Sequence, residues 1–258
     1  MKFSKANAKI EALSKVPELA KYLEGKRKVY SFDLLSGYSC PFADKCLSKA
    51  TMIDGKRKIK DGPNTEFRCF SASQEVQYTN TYNSRKANFD ALRGMDHSDE
   101  MANAIQSAMP KNTGIVRIHV AGDFFNMKYF LAWIKVARQN PDKLFYAYTK
   151  SLMFWIKQID MIPNNLVLTA SRGGRLDNLI DEHNLRESVV VFSEQEAETR
   201  NLIIDHDDSH AARPSLKNNS FALLIHGTQP KGTEAATALK TLKRNNVKHS
   251  YSRKKVTA

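Results

Sequence analysis

GIVRIHVAG at residues 114–122, followed by MKYFLAWIKVARQN at 127–140, sets the pattern that decides the fold of this chain. The first run is short and rich in β-branched residues. The second carries its apolar side chains at the three-to-four-residue spacing of an amphipathic helix. The alternation then repeats: LFYAYTK (144–150) before FWIKQID (154–160), NLVLTAS (165–171) before RLDNLIDEHN (175–184), and SVVVFS (188–193) before EQEAETRN (194–201). A short LIID (202–205) follows, and FALLIHG (221–227) feeds a last helix, TEAATALKTLK (233–243). Strands and helices alternating in steps of about thirty residues or fewer imply right-handed crossovers and a parallel sheet. Six or seven such units predict an α/β fold built as a partial or complete parallel β/α barrel.

Working outward toward the N-terminus, KVYSFDLL (28–35) reads as the first barrel strand, and SGYSCPFADKC (36–46) as the loop after it. TMIDGKRKIK (51–60) reads as a basic hairpin inserted after that strand, with Asp54-Gly55 as its turn. A helix is expected after Phe70, opened by a capping box of Ser71 and Gln74 and broken near Gly94. A single domain is expected over 1–258, with a core at 28–243, a helical extension at 1–27 and a flexible basic tail at 244–258.

The chain has 258 residues, 41% of them hydrophobic, and a formal net charge of +13. Lys240, Lys243, Arg244, Lys248, Arg253, Lys254 and Lys255 crowd an acid-free C-terminal stretch, whereas Asp177 to Asp208 is acid-rich. Such a balance points to nucleic acid contacted through a basic surface and tail, or to a solvated charged end. No apolar run is long enough for a signal peptide or membrane span, so a cytoplasmic protein without a membrane partner is expected. The three cysteines do not suit a disulfide framework there, which leaves metal binding or plain packing.

Strand periodicity predicts the lining of a cavity. Val116, Ile118 and Val120 are expected to face the outer helices, with Arg117 and His119 opposite them. Tyr146, Tyr148 and Lys150 share one face in the same way, and a polar inward face implies a cavity at the C-terminal ends of the strands. Cys40 and Cys46 lie in the loop after the first strand; a hairpin returns its ends to one place, so Cys69 can join them. Zinc normally takes four ligands with closely spaced cysteine pairs, which CPFADKC does not supply. Three thiolates suit a [4Fe-4S] cluster with one open iron, for which His119 is a candidate fourth ligand.

Other motifs carry weaker chemistry. Asp123 projects from the same strand end as His119, and Lys150 ends the next strand. DHDDSHA (205–211) suits a second metal or a general acid/base, with Asp207 and His210 as candidates, against the plainer reading of an acidic loop that caps a helix or pairs with the basic surface. SRGGRLD (171–177) sets Ser171 and Gly173 beside Arg172 and Arg175, as an anion site or an ordinary strand-to-helix turn. HGTQPKG, from His226, lacks the ending of a P-loop. Tyr146, Tyr148, Phe154 and Trp155 stack on bases or, more plainly, fill the core.

The order of a cysteine loop after the first strand and Val120-Ala-Gly-Asp-Phe124 ending the next resembles radical S-adenosylmethionine enzymes. That resemblance implies S-adenosylmethionine as a cofactor, met by Gly122, Asp123, Arg117, Tyr148, Ser171, Gly173 and His226. The compact three-cysteine signature is absent, and the turn has one glycine with Asp123. Read together, SGYSCPFADKC, FRCFSASQEV, VRIHVAGDFF, FYAYTKS, LTASRGGRLD, DHDDSHA and IHGTQPKG, from Val29 to Lys243, resemble the gene product 88-like family of bacteriophages. The family implies a phage-encoded protein in the cytoplasm of the infected host, and no settled reaction. Three functions are therefore expected in turn: a cluster protein, enzymatic or not, acting on a nucleotide or nucleic acid; a nucleic-acid-binding protein with a structural or redox-sensing cluster; and a zinc-stabilised structural protein.

Overall fold

The computed structural model describes residues 1–247. Among the described residues ten strands occur in chain order: β1 (Ser4–Lys5), β2 (Lys28–Phe32), β3 (Ser48–Ile53), β4 (Lys56–Asp61), β5 (Thr113–Ile118), β6 (Leu144–Thr149), β7 (Leu166–Ser171), β8 (Glu187–Val191), β9 (Ile203–Ile204) and β10 (Phe221–Leu224). The helices are α1 (Ala8–Glu11), α2 (Phe70–Gln77), α3 (Thr79–Arg93), α4 (Ser98–Ala108), α5 (Met127–Gln139), α6 (Leu152–Lys157), α7 (Asn178–Glu182), α8 (Glu194–Thr199), α9 (Ser209–Ala212) and α10 (Glu234–Arg244). The alternation from β5 onward follows the sequence reading; α4 was not anticipated.

Eight strands form one sheet in the order β1-β2-β5-β6-β7-β8-β10-β9, and β3 and β4 pair separately as the hairpin. Only β1 runs antiparallel, against β2; the remaining neighbours are parallel. The two edges, β1 and β9, do not pair, so the sheet is open and a complete barrel is not formed. Instead of closing on itself, the sheet has its two faces filled by chain. Val116, Ile118, Phe145, Ala147 and Leu168 pack with α4 and α5 through residues such as Ile105, Phe130, Trp133 and Val136. On the other face, Val29, Ile115, Leu144, Tyr146 and Val167 meet Ile10, Leu13 and Leu19 of the N-terminal segment and Ala211 and Ala212 of α9.

The N-terminal part of that second layer is α1 followed by two 3-10 turns, Ala12–Lys15 and Pro17–Tyr22; Leu13 and Leu19 are fully buried there, and β1 extends the sheet. At about 25 cal/mol per Å² of apolar surface, each such leucine contributes about 2 kcal/mol. Of the tail, residues 248–258 lie outside the described residues, so the flexibility expected for it stands as a sequence reading.

Periodicity held for Val116, Ile118 and Arg117 but failed at the strand end. His119 has φ of +67°, a left-handed conformation that breaks the alternation. Its ring turns toward Phe124 and Tyr129, at 4.9 and 5.6 Å, while Val120 joins the cluster containing Tyr148. The capping box also fails. Cys69 is the N-cap of α2, and the Ser71 hydroxyl donates to the Val120 carbonyl oxygen at 3.1 Å.

Candidate functional site

The cysteine loop is held by its neighbours on every side. At its start, Glu75 Oε1 accepts from the Ser36 N–H at 3.0 Å and the Ser36 hydroxyl at 2.8 Å, and pairs with Arg85 at 3.1 Å. Gly122, at φ +92°, lets the β5 end pass close beneath: a Cβ there would stand 2.6 Å from Ser39 Oγ and 2.8 Å from Leu34 Cβ. At the loop's far end, Lys45 N–H donates to the Gly173 carbonyl at 3.0 Å, and Arg175 N–H donates to Phe42 at 2.9 Å. The hairpin then brings the chain back, with Gly62 N–H on the Leu47 carbonyl at 2.7 Å and Cys69 N–H on Ser48 Oγ at 3.3 Å. Asp54 and Gly55 both have positive φ, as the hairpin turn requires.

Cys40 and Cys46 from the loop after β2, and Cys69 from the chain returning after the hairpin, consequently line one cavity of about 190 Å³. The cavity lies at the C-terminal ends of the parallel strands, and its wall includes Arg117, Asp123, Lys150 and His226. Burial pushes the Cys40 thiol well above its usual range, with the charges of Asp123, Cys69 and Cys46 adding to the effect. Cys69 is pushed up to about 11, again by burial first and by Cys46 second. Backbone N–H groups work the other way: Gly37 N–H donates to Cys40 Sγ at 3.3 Å, and those of Ser71 and Ala72 favour a Cys69 thiolate. Amides aimed at sulfur are the means by which proteins tune cysteine-bound clusters. Among the described residues, no group of three or more His, Cys, Asp or Glu side chains is arranged to hold a metal ion.

Most other predicted residues are committed to holding the walls. Asp123 accepts from Thr149 Oγ1 at 2.6 Å, Lys150 N–H at 2.8 Å and its neighbour Phe124 N–H at 2.7 Å. Burial outweighs those bonds and raises its carboxyl to about 6. Lys150 spends its ammonium on the Ser171 carbonyl and hydroxyl, at 2.8 and 2.7 Å, and on the Arg172 carbonyl at 3.1 Å. The glycine turn has no free amides to offer an anion, because Gly173 and Gly174 N–H already donate to Asp177 at 2.7 and 2.9 Å. Gly173, Asp207 and His210 lie outside the cavity wall; Tyr148, Gly122, Ser171 and His226 lie on it. His119 borders the cavity with Nε2 on the Tyr129 hydroxyl at 2.9 Å and a buried Nδ1 that has no hydrogen-bond partner among the described residues. Burial, then the Arg117 charge, lowers its pKa to about 3, so the ring is neutral.

Three anchors escaped the sequence reading. Asp208 is the carboxylate of its loop that enters the cavity wall: it pairs with Arg117 and accepts from the Tyr146 and Tyr148 hydroxyls at 3.1 and 3.4 Å. Its φ of +62° suits an Asp, and a buried Arg117 needed such a partner; that need was the available signal. Asp33 accepts from the Val120 and Ala121 N–H groups at 2.7 and 3.3 Å, tying β2 to the β5 end. The Glu75–Arg85 pair is the third, and it had no local signature.

No solved structure matches this fold, and no helix among the described residues is long and apolar enough to cross a membrane. Over 36 residues the chain is 53% identical to the Gene 88 protein of Mycobacterium phage L5, a match covering 14% of this chain and 15% of that relative. The family model described as Gene product 88 matches residues 1–246, reaching past the motif region into the N-terminal segment that packs under the sheet. The chain therefore belongs to the Gene product 88 family of bacteriophage proteins.

Proposed function

We propose that this protein carries a [4Fe-4S] cluster on Cys40, Cys46 and Cys69, with the fourth iron turned toward the cavity. The observation that carries this reading is that the chain's three cysteines line a single cavity, two of them with backbone amides directed at sulfur. A mononuclear zinc site needs its thiolates about 4 Å apart around one ion, with Zn–S near 2.3 Å. Structural zinc takes four closed ligands in closely spaced cysteine pairs, whereas three thiolates hold three irons of a cubane and leave the fourth open. His119, neutral and with Nδ1 unpartnered, is the side chain available as a fourth ligand.

The strands β2, β5, β6, β7, β8 and β10 stand in sequence order, which supports a partial, radical-SAM-like barrel with its site at the strand ends. Bound there, a reduced cluster would supply an electron to a ligand on its open iron. S-adenosylmethionine would meet Gly122, Arg117, Tyr148, Ser171 and His226; at about 190 Å³ the cavity is below the roughly 300–1,000 Å³ usual for such ligands, so the mouth must open for it. Lys150 donates to three acceptors and Asp123 accepts three hydrogen bonds, so both are chiefly wall-building groups and chemistry on a nucleotide or nucleic-acid target would come from the cluster. The place of action is the cytoplasm of the infected host. The same commitment of the polar groups favours a second reading, a nucleic-acid-binding protein whose cluster is structural or senses redox state.

Anaerobic reconstitution with iron and sulfide tests the proposal. About four irons per chain, absorbance near 400 nm, and loss of both in Cys69→Ser are expected. A colourless protein, or one that binds a single zinc instead, rejects it; S-adenosylmethionine-induced changes in the paramagnetic signal of the reduced cluster separate the enzyme from the second reading.

A further inference from the structure

The hairpin that joins Cys46 to Cys69 has two unlike faces. One packs on α2, where Arg57 donates to the Glu75 carbonyl at 3.0 Å. The other is set by the register: Lys49 stands opposite Lys60, Thr51 opposite Lys58, and Ile53 opposite Lys56. Side chains two apart on a strand share a face, so Lys56, Lys58 and Lys60 form a row in steps of about 7 Å, with Lys49 beside its end. All three of the row are exposed. Asp54 at the turn pairs with Lys58 at 3.2 Å, while Lys49, Lys56 and Lys60 have no ion-pair partner among the described residues.

Like charges directly opposite one another weaken a hairpin, and a two-stranded ribbon has little stability to spare. Retaining Lys49 against Lys60 makes physical sense where a polyanion lies across them. An aromatic ring shares the face. Tyr38 is 41% exposed, its hydroxyl lies 3.3 Å from Thr51 Oγ1, and Lys49 Nζ sits 5.0 Å from its ring centroid. Lysines tracking a backbone beside an exposed ring are the combination that holds unpaired nucleotides. In a duplex the bases are stacked on one another and withheld from such a ring.

We propose that the outer face of the β3–β4 hairpin, with Tyr38 as its stacking platform, is a docking surface for single-stranded nucleic acid beside the cavity mouth. This site does not depend on the cluster. Iron-free protein that still binds leaves it standing, and iron-loaded protein that does not bind overturns it alone.

Fluorescence anisotropy of a labelled twenty-nucleotide deoxythymidine strand, with the full chain at 50–300 mM salt, tests it. Lys56→Gln, Lys58→Gln and Lys60→Gln together should reduce the slope of log affinity against log salt by about two, at about 0.7 per phosphate contact. Tyr38→Ala should weaken binding about five- to hundredfold, and Tyr38→Phe should restore it. Thermal melts should show the lysine variant as stable as the parent or more so, since a like-charge face is relieved. Three results overturn the proposal: hairpin variants that bind normally while Arg253→Gln, Lys254→Gln and Lys255→Gln together abolish binding; equal affinity for duplex with no effect of Tyr38; or binding to phosphatidylserine vesicles but not to the oligonucleotide.

Discussion

Asp208→Asn tests the buried ion pair of the cavity wall. The side chains of Arg117 and Asp208 are 9% and 1% exposed, and the carboxylate also accepts from Tyr146 and Tyr148. Asparagine keeps the shape, tolerates the left-handed backbone at φ +62°, and removes the negative charge that the buried guanidinium pairs with. Removing one partner of such a pair costs about 3–5 kcal/mol. Retained tyrosine bonds to the amide oxygen would place the loss near the lower end, at about 3 kcal/mol. Urea unfolding of the metal-free protein, with an unchanged m-value, reads this directly. Arg117→Met in the Asp208→Asn background should recover part of it, because the buried charge is gone with its counter-charge and the methionine can pack against Tyr148, whose ring lies 5.1 Å from the guanidinium. A loss under about 1 kcal/mol, or a double variant as unstable as the sum of the singles, would refute the buried-pair argument.

Gly122→Ala should cost about 2–4 kcal/mol, from a left-handed backbone and a 2.6 Å approach to Ser39 Oγ, and should lower cluster loading by displacing the Cys40 loop; unfolding and iron content together check it. Asp123, raised to about 6 when folded against roughly 4 unfolded, binds its proton more tightly in the native state. Its contribution therefore grows as pH falls from above 6 to about 4, by about 3 kcal/mol, and Asp123→Asn should remove that component from the stability–pH curve. The thiols follow the same sign at higher pH. Cys40 and Cys69 keep their protons when folded after the unfolded chain has lost them, so metal-free protein should lose stability from about pH 9 upward, and Cys69→Ser should flatten the decline. For the same reason, loading metal near pH 7 should release at least two protons per chain, measurable in weakly buffered solution; no release would argue against thiolate ligation.

What could be read from residues alone were the elements whose signals are local. β5 with α5, β6 with α6 and β7 with the turn after it follow from periodicity, which depends on near neighbours. Asp54-Gly55 fixed the hairpin, and the hairpin brought Cys69 back beside Cys40 and Cys46. The sequence also carried the family, through motifs spread across the chain. Tertiary structure alone decided that the sheet stays open, because whether two distant edges meet depends on what fills the inner face. Here that filling is Ile10, Leu13, Leu19 and α9. It decided that His119 turns away from Arg117, since one positive φ inverts a pattern that assumes regular strand. It also decided that Asp208, rather than Asp207, enters the wall, because a buried charge is satisfied by whichever carboxylate the loop delivers in three dimensions, and that choice has no period along the chain.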